Sequence, residues 1–208
     1  MNYNPPTGYE FCKETGALKS ISREITARYD HAYVARYENY PQAELSAIRA
    51  KLVMKYAGDF ATICDVGFGT GAFLAEIGRA KPSATLHGFD VSPYPAPDFV
   101  TVDPDWQERS WDVVTFFDSL EHFVDLPKVN AKCIVVSVPW YNDFLGDEWF
   151  KSWKHRRPGE HIWHFNPDAL ACVFKQQGMR QIYCGNPEDK IRKSDSTMPN
   201  ILTMIFVR

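Results

Sequence analysis

A three-layer α/β domain built on a mostly parallel sheet is the fold this sequence predicts, and three observations predict it. Short apolar runs recur along the chain, several of them closed by an acid or a proline. Segments with helical spacing alternate with them. One run, Ile63–Val66, passes through Gly67-Phe68-Gly69-Thr70-Gly71 into an amphipathic stretch. This pattern describes a buried strand, a tight turn and the start of a helix. Glycine permits unusual dihedrals and close approach of a ligand, and a helix start offers unpaired N–H groups. A nucleotide-like ligand is the first expectation.

The elements follow in order. Residues 1–20 are polar, with Pro5-Pro6 and Gly8, and predict a weakly structured arm. Ser22–Tyr40 is rich in tyrosine; Tyr29, Tyr33 and Tyr37 are spaced by four and share one face if the stretch is helical. That face either packs on the domain or forms a lid, with Arg36 as an anion contact. Pro41 opens a helix carrying Leu45, Ile48, Leu52 and Tyr56, and Gly58 closes it. The first sheet strand is expected at 61–66, the glycine turn and its helix at 67–80, and a second strand at 84–89, ended by Asp90. The prolines of 91–97 exclude a regular helix there. Further strands are expected at 99–102, 111–117 and 133–138, closed in the last two cases by Asp118 and Pro139. Asn166-Pro167 caps a helix bearing Leu170, Val173 and Phe174. Residues 179–184 and 201–207 predict two final strands able to pair antiparallel.

Composition limits the classes of function. The chain has 208 residues, enough for one sizeable domain, with 45% hydrophobic and 24% charged residues. A net charge of −3 argues against coating nucleic acid by bulk electrostatics. The five cysteines are odd in number, with no Cys-x-x-Cys pair. Reduced thiols in a cytoplasmic protein are therefore expected, with Cys64, Cys133 and Cys184 in apolar strand-like runs. No apolar run approaches the length of a membrane span, and no export signal is evident.

The cofactor features lie in register. The glycine turn at 67–71 and Asp90 after the second strand would meet at the carboxyl ends of the strands, where open α/β sheets bind ligands. A carboxylate there accepts hydrogen bonds from both hydroxyls of a ribose. Asp65 opens the pattern and would sit badly beside a pyrophosphate, but it tolerates a cationic amino-acid end.

Asp65-Val-Gly-Phe-Gly-Thr-Gly71, with His87-Gly-Phe-Asp90 and Trp111-Asp-Val-Val-Thr-Phe-Phe-Asp118-Ser-Leu-Glu-His122, resembles the class I S-adenosylmethionine-dependent methyltransferases, most closely the group that includes the ubiquinone-biosynthesis O-methyltransferases. The resemblance covers roughly residues 42–208. It implies a Rossmann-like sandwich with a seven-stranded sheet ordered three-two-one-four-five-seven-six, strand seven antiparallel. It divides the chain into an arm and helical lid (1–40) and a methyltransferase domain (41–208). Gly67, Phe68, Gly69 and Gly71 would lie under the methionine part of S-adenosylmethionine, with Asp65 nearby. Asp90 would hold the ribose, Val91 and Asp103 would flank the adenine, and Asp118 closes the cofactor site.

Methyl transfer needs proximity, orientation and, for some acceptors, removal of a proton. Two segments map to the acceptor side. In ubiquinone O-methyltransferases, residues similar to Asp118-Ser-Leu-Glu121-His122 are associated with a divalent metal. Aspartate in place of glutamate shortens one ligand, and no metal is assigned; His122 is a candidate base. The other segment is the insertion 139–165, with Lys154, Arg156 and Arg157 as candidate anion contacts. Its core, Gly159-Glu160-His161-Ile162-Trp163-His164-Phe165, also resembles this group. A near-neutral imidazole suits proton removal, which makes His161 the first candidate base. The expected partner is a small acceptor, anionic or aromatic, methylated at oxygen or nitrogen. A nucleotide or nucleic-acid acceptor, and a non-catalytic cofactor-binding scaffold, are the alternatives. Oligomeric state is left open.

Overall fold

The computed structural model describes residues 4–31, 41–92, 95–193 and 197–208. A hairpin comes first, β1 (Tyr9–Phe11) and β2 (Leu18–Ser20), and helix α1 (Gln42–Tyr56) precedes the main sheet. β3 (Thr62–Val66), α2 (Ala72–Ala80), β4 (Thr85–Phe89), β5 (Thr101–Val102), β6 (Trp111–Phe117) and β7 (Ala131–Pro139) follow. Then come α3 (Gly146–Ser152), β8 (Trp163–His164), α4 (Pro167–Lys175), β9 (Arg180–Gly185) and β10 (Ile201–Val207).

Seven strands form one sheet in the order β5-β4-β3-β6-β7-β10-β9. β10 runs antiparallel to both neighbours, and the other described pairings are parallel. The expected Rossmann-like order is therefore observed. Successive residues of the central strands point to opposite faces, as the period of two requires. Ile63, Val113 and Val135 pack with Val53, Leu74 and Ile77 of α1 and α2. Cys64, Val114 and Val136 pack on the other face with Leu170, Val173 and Phe174 of α4. Both faces are covered, so these strands read as continuous apolar runs.

Three local expectations change. Residues 9–11 and 18–20 are strands, and β1-β2-β8 is a small sheet of its own. Each strand is too short to carry a periodic signal, but Leu18 is wholly buried and Tyr9 nearly so, against Tyr141 and Phe150. Residues 22–30 are not helical, and Tyr33, Tyr37, Tyr40 and Arg36 lie outside the described residues. Only Thr101–Val102 of the 99–102 run pairs as strand. Cys64 and Cys133 are buried thiols, whereas Cys184 is exposed on the edge strand β9.

Gly88 in β4 lies directly beneath the glycine turn. A Cβ there would stand 2.5 Å from Phe68 Cδ1 and 3.0 Å from its Cγ, an aromatic ring in a packed site. Gly88→Ala is expected to cost about 1–3 kcal/mol as overpacking, read as a lower urea midpoint at unchanged slope; an unaltered midpoint would refute the tight contact.

Candidate active site

The turn after β3 is built from backbone and one carboxylate. Gly67 has φ +90°, and a Cβ on it would meet Ser119 Cβ at 2.6 Å, so side chains are excluded on both counts. Its N–H donates to Phe89 O at 2.7 Å, which ties the turn to the end of β4. The Gly69 N–H donates to Asp90 Oδ2 at 2.7 Å, and the Ser92 N–H donates to Oδ1 at 2.7 Å. Each Asp90 oxygen thus keeps a further lone pair for a ligand. Asp65 is buried at the end of β3 and accepts the Thr115 hydroxyl at 2.6 Å. Burial raises its pKa to about 7 against the lowering effect of that hydrogen bond.

A cavity of about 960 Å³ opens at this end of the sheet. Asp65, Gly67, Phe68, Gly69, Asp90 and Val91 line one part of it, and Asp118, His122 and His161 another. Gly71 stands behind the wall as the N-cap of α2, at φ +75°, with Pro97 against it. Asp103 is not at the cavity. It is buried after β5, where Arg109 Nε reaches it at 3.0 Å and His87 Nδ1 lies at 3.6 Å. Asp103 thus stands apart from the cavity lining: the proline segment leads into a two-residue strand, and the acid turns toward its own guanidinium partner.

The acceptor-side segments also meet. Glu121 and His122 lie in a 3-10 turn after β6, and His161 comes from the insertion, whose Ile162 N–H donates to Glu121 O at 2.8 Å. The His122 and His161 rings are edge to face, 4.7 Å between centroids. Tyr29 Oη shares a 2.9 Å hydrogen bond with His122 Nδ1. The N-terminal segment carrying Tyr29 is fastened across the site by Thr26 and Ala27 N–H groups donating to Gly159 O. Burial and neighbouring imidazoles hold His161 well below the usual imidazole range, so its ring is neutral and less basic than the near-neutral group expected. Burial lowers His122 as well. Glu121 is wholly buried, neither carboxylate oxygen has a hydrogen-bond partner among the described residues, and burial with the nearby Asp118 charge raises its pKa.

The remaining insertion residues separate. His164 lies among Tyr9, Phe150 and Trp153 outside the cavity wall, and burial lowers it to about 3. His155 lines the cavity and pairs with Asn200 Oδ1 at 2.9 Å. Lys154 and Arg157 face the cavity, whereas Arg156 stacks over Tyr9 and Phe150.

Sequence reading missed an ion network at the cavity wall. Glu188 accepts from Arg49 Nε at 2.8 Å and from Arg192 Nη1 at 3.1 Å, and both arginines also hold Asp118 at 2.7–2.8 Å. The two guanidiniums keep the Asp118 carboxyl far below the usual carboxylate range. Asp118 adopts φ +56°, a left-handed conformation rare for non-glycine residues, which these contacts help to hold. Arg49 on the inner face of α1 was the available signal: Leu45, Ser46, Ala50 and Val53 are buried around it.

Sheet order, glycine turn and paired acids at the strand ends define an α/β enzyme with a nucleoside-bearing cofactor. The sequence matches the family described as a methyltransferase domain over residues 36–182, and the chain belongs to that family. It is an S-adenosylmethionine-dependent methyltransferase. No curated protein sequence is significantly similar to it. The fold is similar to a chain of the complex between the Haloferax volcanii Trm112 methyltransferase activator and a methyltransferase, with 14% identity, TM-score 0.60, and 85% of this chain and 94% of that one covered. It is also similar to magnesium protoporphyrin IX methyltransferase from Synechocystis with bound S-adenosylhomocysteine (14%, TM-score 0.52, 80% and 83% covered). A third likeness is to the plantazolicin methyltransferase BpumL (12%, TM-score 0.50, 85% and 88% covered). Among the described residues, no helix is long and apolar enough to cross a membrane.

Proposed function

We propose that this methyltransferase acts on a small acceptor, anionic or aromatic, at an oxygen or nitrogen atom. The observation carrying the reading is that one cavity of about 960 Å³ takes in both the glycine turn with Asp90 and the Glu121–His122–His161 group. Its volume suits a cofactor with a small molecule beside it. S-adenosylmethionine, when bound, supplies a methyl group on a positive sulfur for in-line displacement by the acceptor's lone pair. Asp90 holds the ribose hydroxyls, Gly67, Phe68 and Gly69 seat the methionine part, and Val91 borders the adenine. Asp65, buried nearby, and Asp118, fixed by its arginines, shape the floor between the two halves. Tyr29, Phe123 and the two imidazoles orient the acceptor, and His161 or His122 draws its proton away. Lys154 at the cavity wall, next to Arg157 held by Glu160, favours an acceptor bearing a negative group. The unpaired cysteines favour a cytoplasmic setting.

Calorimetry with S-adenosylmethionine and S-adenosylhomocysteine is expected to show one site for each, and binding of neither overturns the cofactor placement. In single-turnover assays on a panel of hydroxy- and amino-aromatic acids, His161→Ala should slow methyl transfer by about 10²–10⁴-fold, the range for losing a positioned acid–base group. Binding of cofactor with no turnover on any acceptor, nucleic acids included, would support the scaffold reading.

A further inference from the structure

We infer that Glu121, His122 and His161 form a divalent-cation site at the acceptor end of the cavity, with Asp118 excluded from it. One carboxylate oxygen and one nitrogen from each ring lie within 4.8 Å of one another. The set spans two segments distant in sequence, the turn after β6 and the 139–165 insertion, joined by the Ile162–Glu121 backbone hydrogen bond.

Three observations favour an ion over a purely structural cluster. Both Glu121 oxygens are buried and have no hydrogen-bond partner among the described residues, and the same holds for His161 Nδ1. A buried carboxylate without a donor is costly unless it is protonated or coordinates a cation. Two imidazoles and one carboxylate make the donor set that transition-metal ions and zinc take, whereas magnesium and calcium prefer oxygen alone. Tyr29 Oη at 2.9 Å from His122 Nδ1 supplies an outer hydrogen bond of the kind that fixes a ligating imidazole. Donors about 2.1 Å from an ion stand roughly 3.4 Å apart in a tetrahedron, so binding draws the three side chains inward.

The acid expected to begin such a site does not fit. Both Asp118 oxygens are engaged by Arg49 and Arg192. The third ligand is therefore an imidazole from the insertion. A cation held there would supply Lewis acidity, lowering the pKa of a hydroxyl brought against it. The inference rests on the methyltransferase reading and narrows its acceptor to a hydroxyl-bearing molecule. An ion held there would take the place of the proton-accepting role open to His122 and His161 without it, the two rings serving as its ligands, and the hydroxyl proton would pass to water.

The test is titration of the metal-free full chain with Co²⁺, followed by visible absorption, and with Zn²⁺, followed by calorimetry, in the absence of cofactor. One equivalent should bind. Glu121→Gln, which replaces the carboxyl ligand by an amide of the same shape, and His161→Ala should each weaken it by a hundredfold or more. Tyr29→Phe should weaken it about tenfold, and Asp118→Asn should still bind one equivalent. No saturable absorption in folded protein overturns the site, as does unchanged affinity in Glu121→Gln. Loss of binding in folded Asp118→Asn overturns the ligand set. Binding of S-adenosylhomocysteine by the same samples separates these outcomes from failure of the methyltransferase reading.

Discussion

Asp90→Ala is expected to lose S-adenosylhomocysteine affinity by about a hundredfold or more in calorimetry. Each carboxylate oxygen already accepts one backbone N–H, from Gly69 and from Ser92, at 2.7 Å. These bonds aim the remaining lone pairs and hold the glycine turn against the end of β4. A hydrogen bond to a charged group contributes about 1.5–3 kcal/mol, so losing two to a ribose removes several. The substitution also releases the Gly69 N–H, which loosens the turn. Asp90→Asn separates the two effects: it keeps one acceptor oxygen and nearly the same shape, and should fall between. Thermal unfolding of the free proteins reports the turn, and calorimetry reports the ligand. If Asp90→Ala binds S-adenosylhomocysteine as tightly as the unaltered chain, the ribose contact is wrong.

The sheet was legible because its strands are buried on both faces. Trp111–Phe117 and Ile201–Val207 were delimited correctly from apolar runs alone, and Asn166 caps α4 through the expected bond to the Ala169 N–H. The glycine turn was legible for a related reason: positive φ and close approach leave few residues possible at Gly67. What escaped was held by distant contacts. β1 and β2 exist because Leu18 and Tyr9 fill a pocket made by Tyr141 and Phe150, and nothing local in Tyr9–Phe11 announces it. Asp103 closes a strand as Asp90 does, yet Arg109 takes it, and a sequence pattern does not say which charged neighbour wins. His164 and His161 are three residues apart on a segment read as one patch. Backbone pairing of β8 with β2 sends His164 into the aromatic cluster and leaves His161 facing the cavity. Glu188 lay in a polar loop that gave no reason to expect a fully buried carboxylate.

That carboxylate carries the second large effect. Glu188→Ala should lower the unfolding free energy by about 3–5 kcal/mol, the cost of removing one partner from a buried ion pair. In a chain of this size that is on the order of 10 °C in melting temperature. Glu188 is fully buried, and it neutralises Arg49 and Arg192, whose side chains are about one-tenth exposed. Without it two guanidiniums share the single charge of Asp118. Desolvation of the unpaired cation sets the loss, and the intact network need not be strongly stabilising. The double variant Glu188→Ala, Arg49→Met should therefore recover part of the deficit, since it removes the stranded charge. Acid acts on the same network. The Asp118 carboxyl is depressed in the folded state, so its contribution is complete above the unfolded carboxylate range, near pH 4, and is lost as pH falls through its folded value. A urea midpoint in Glu188→Ala equal to that of the unaltered chain would mean that the arginines find water or other partners. Asp118 would then be positioned by its own backbone alone.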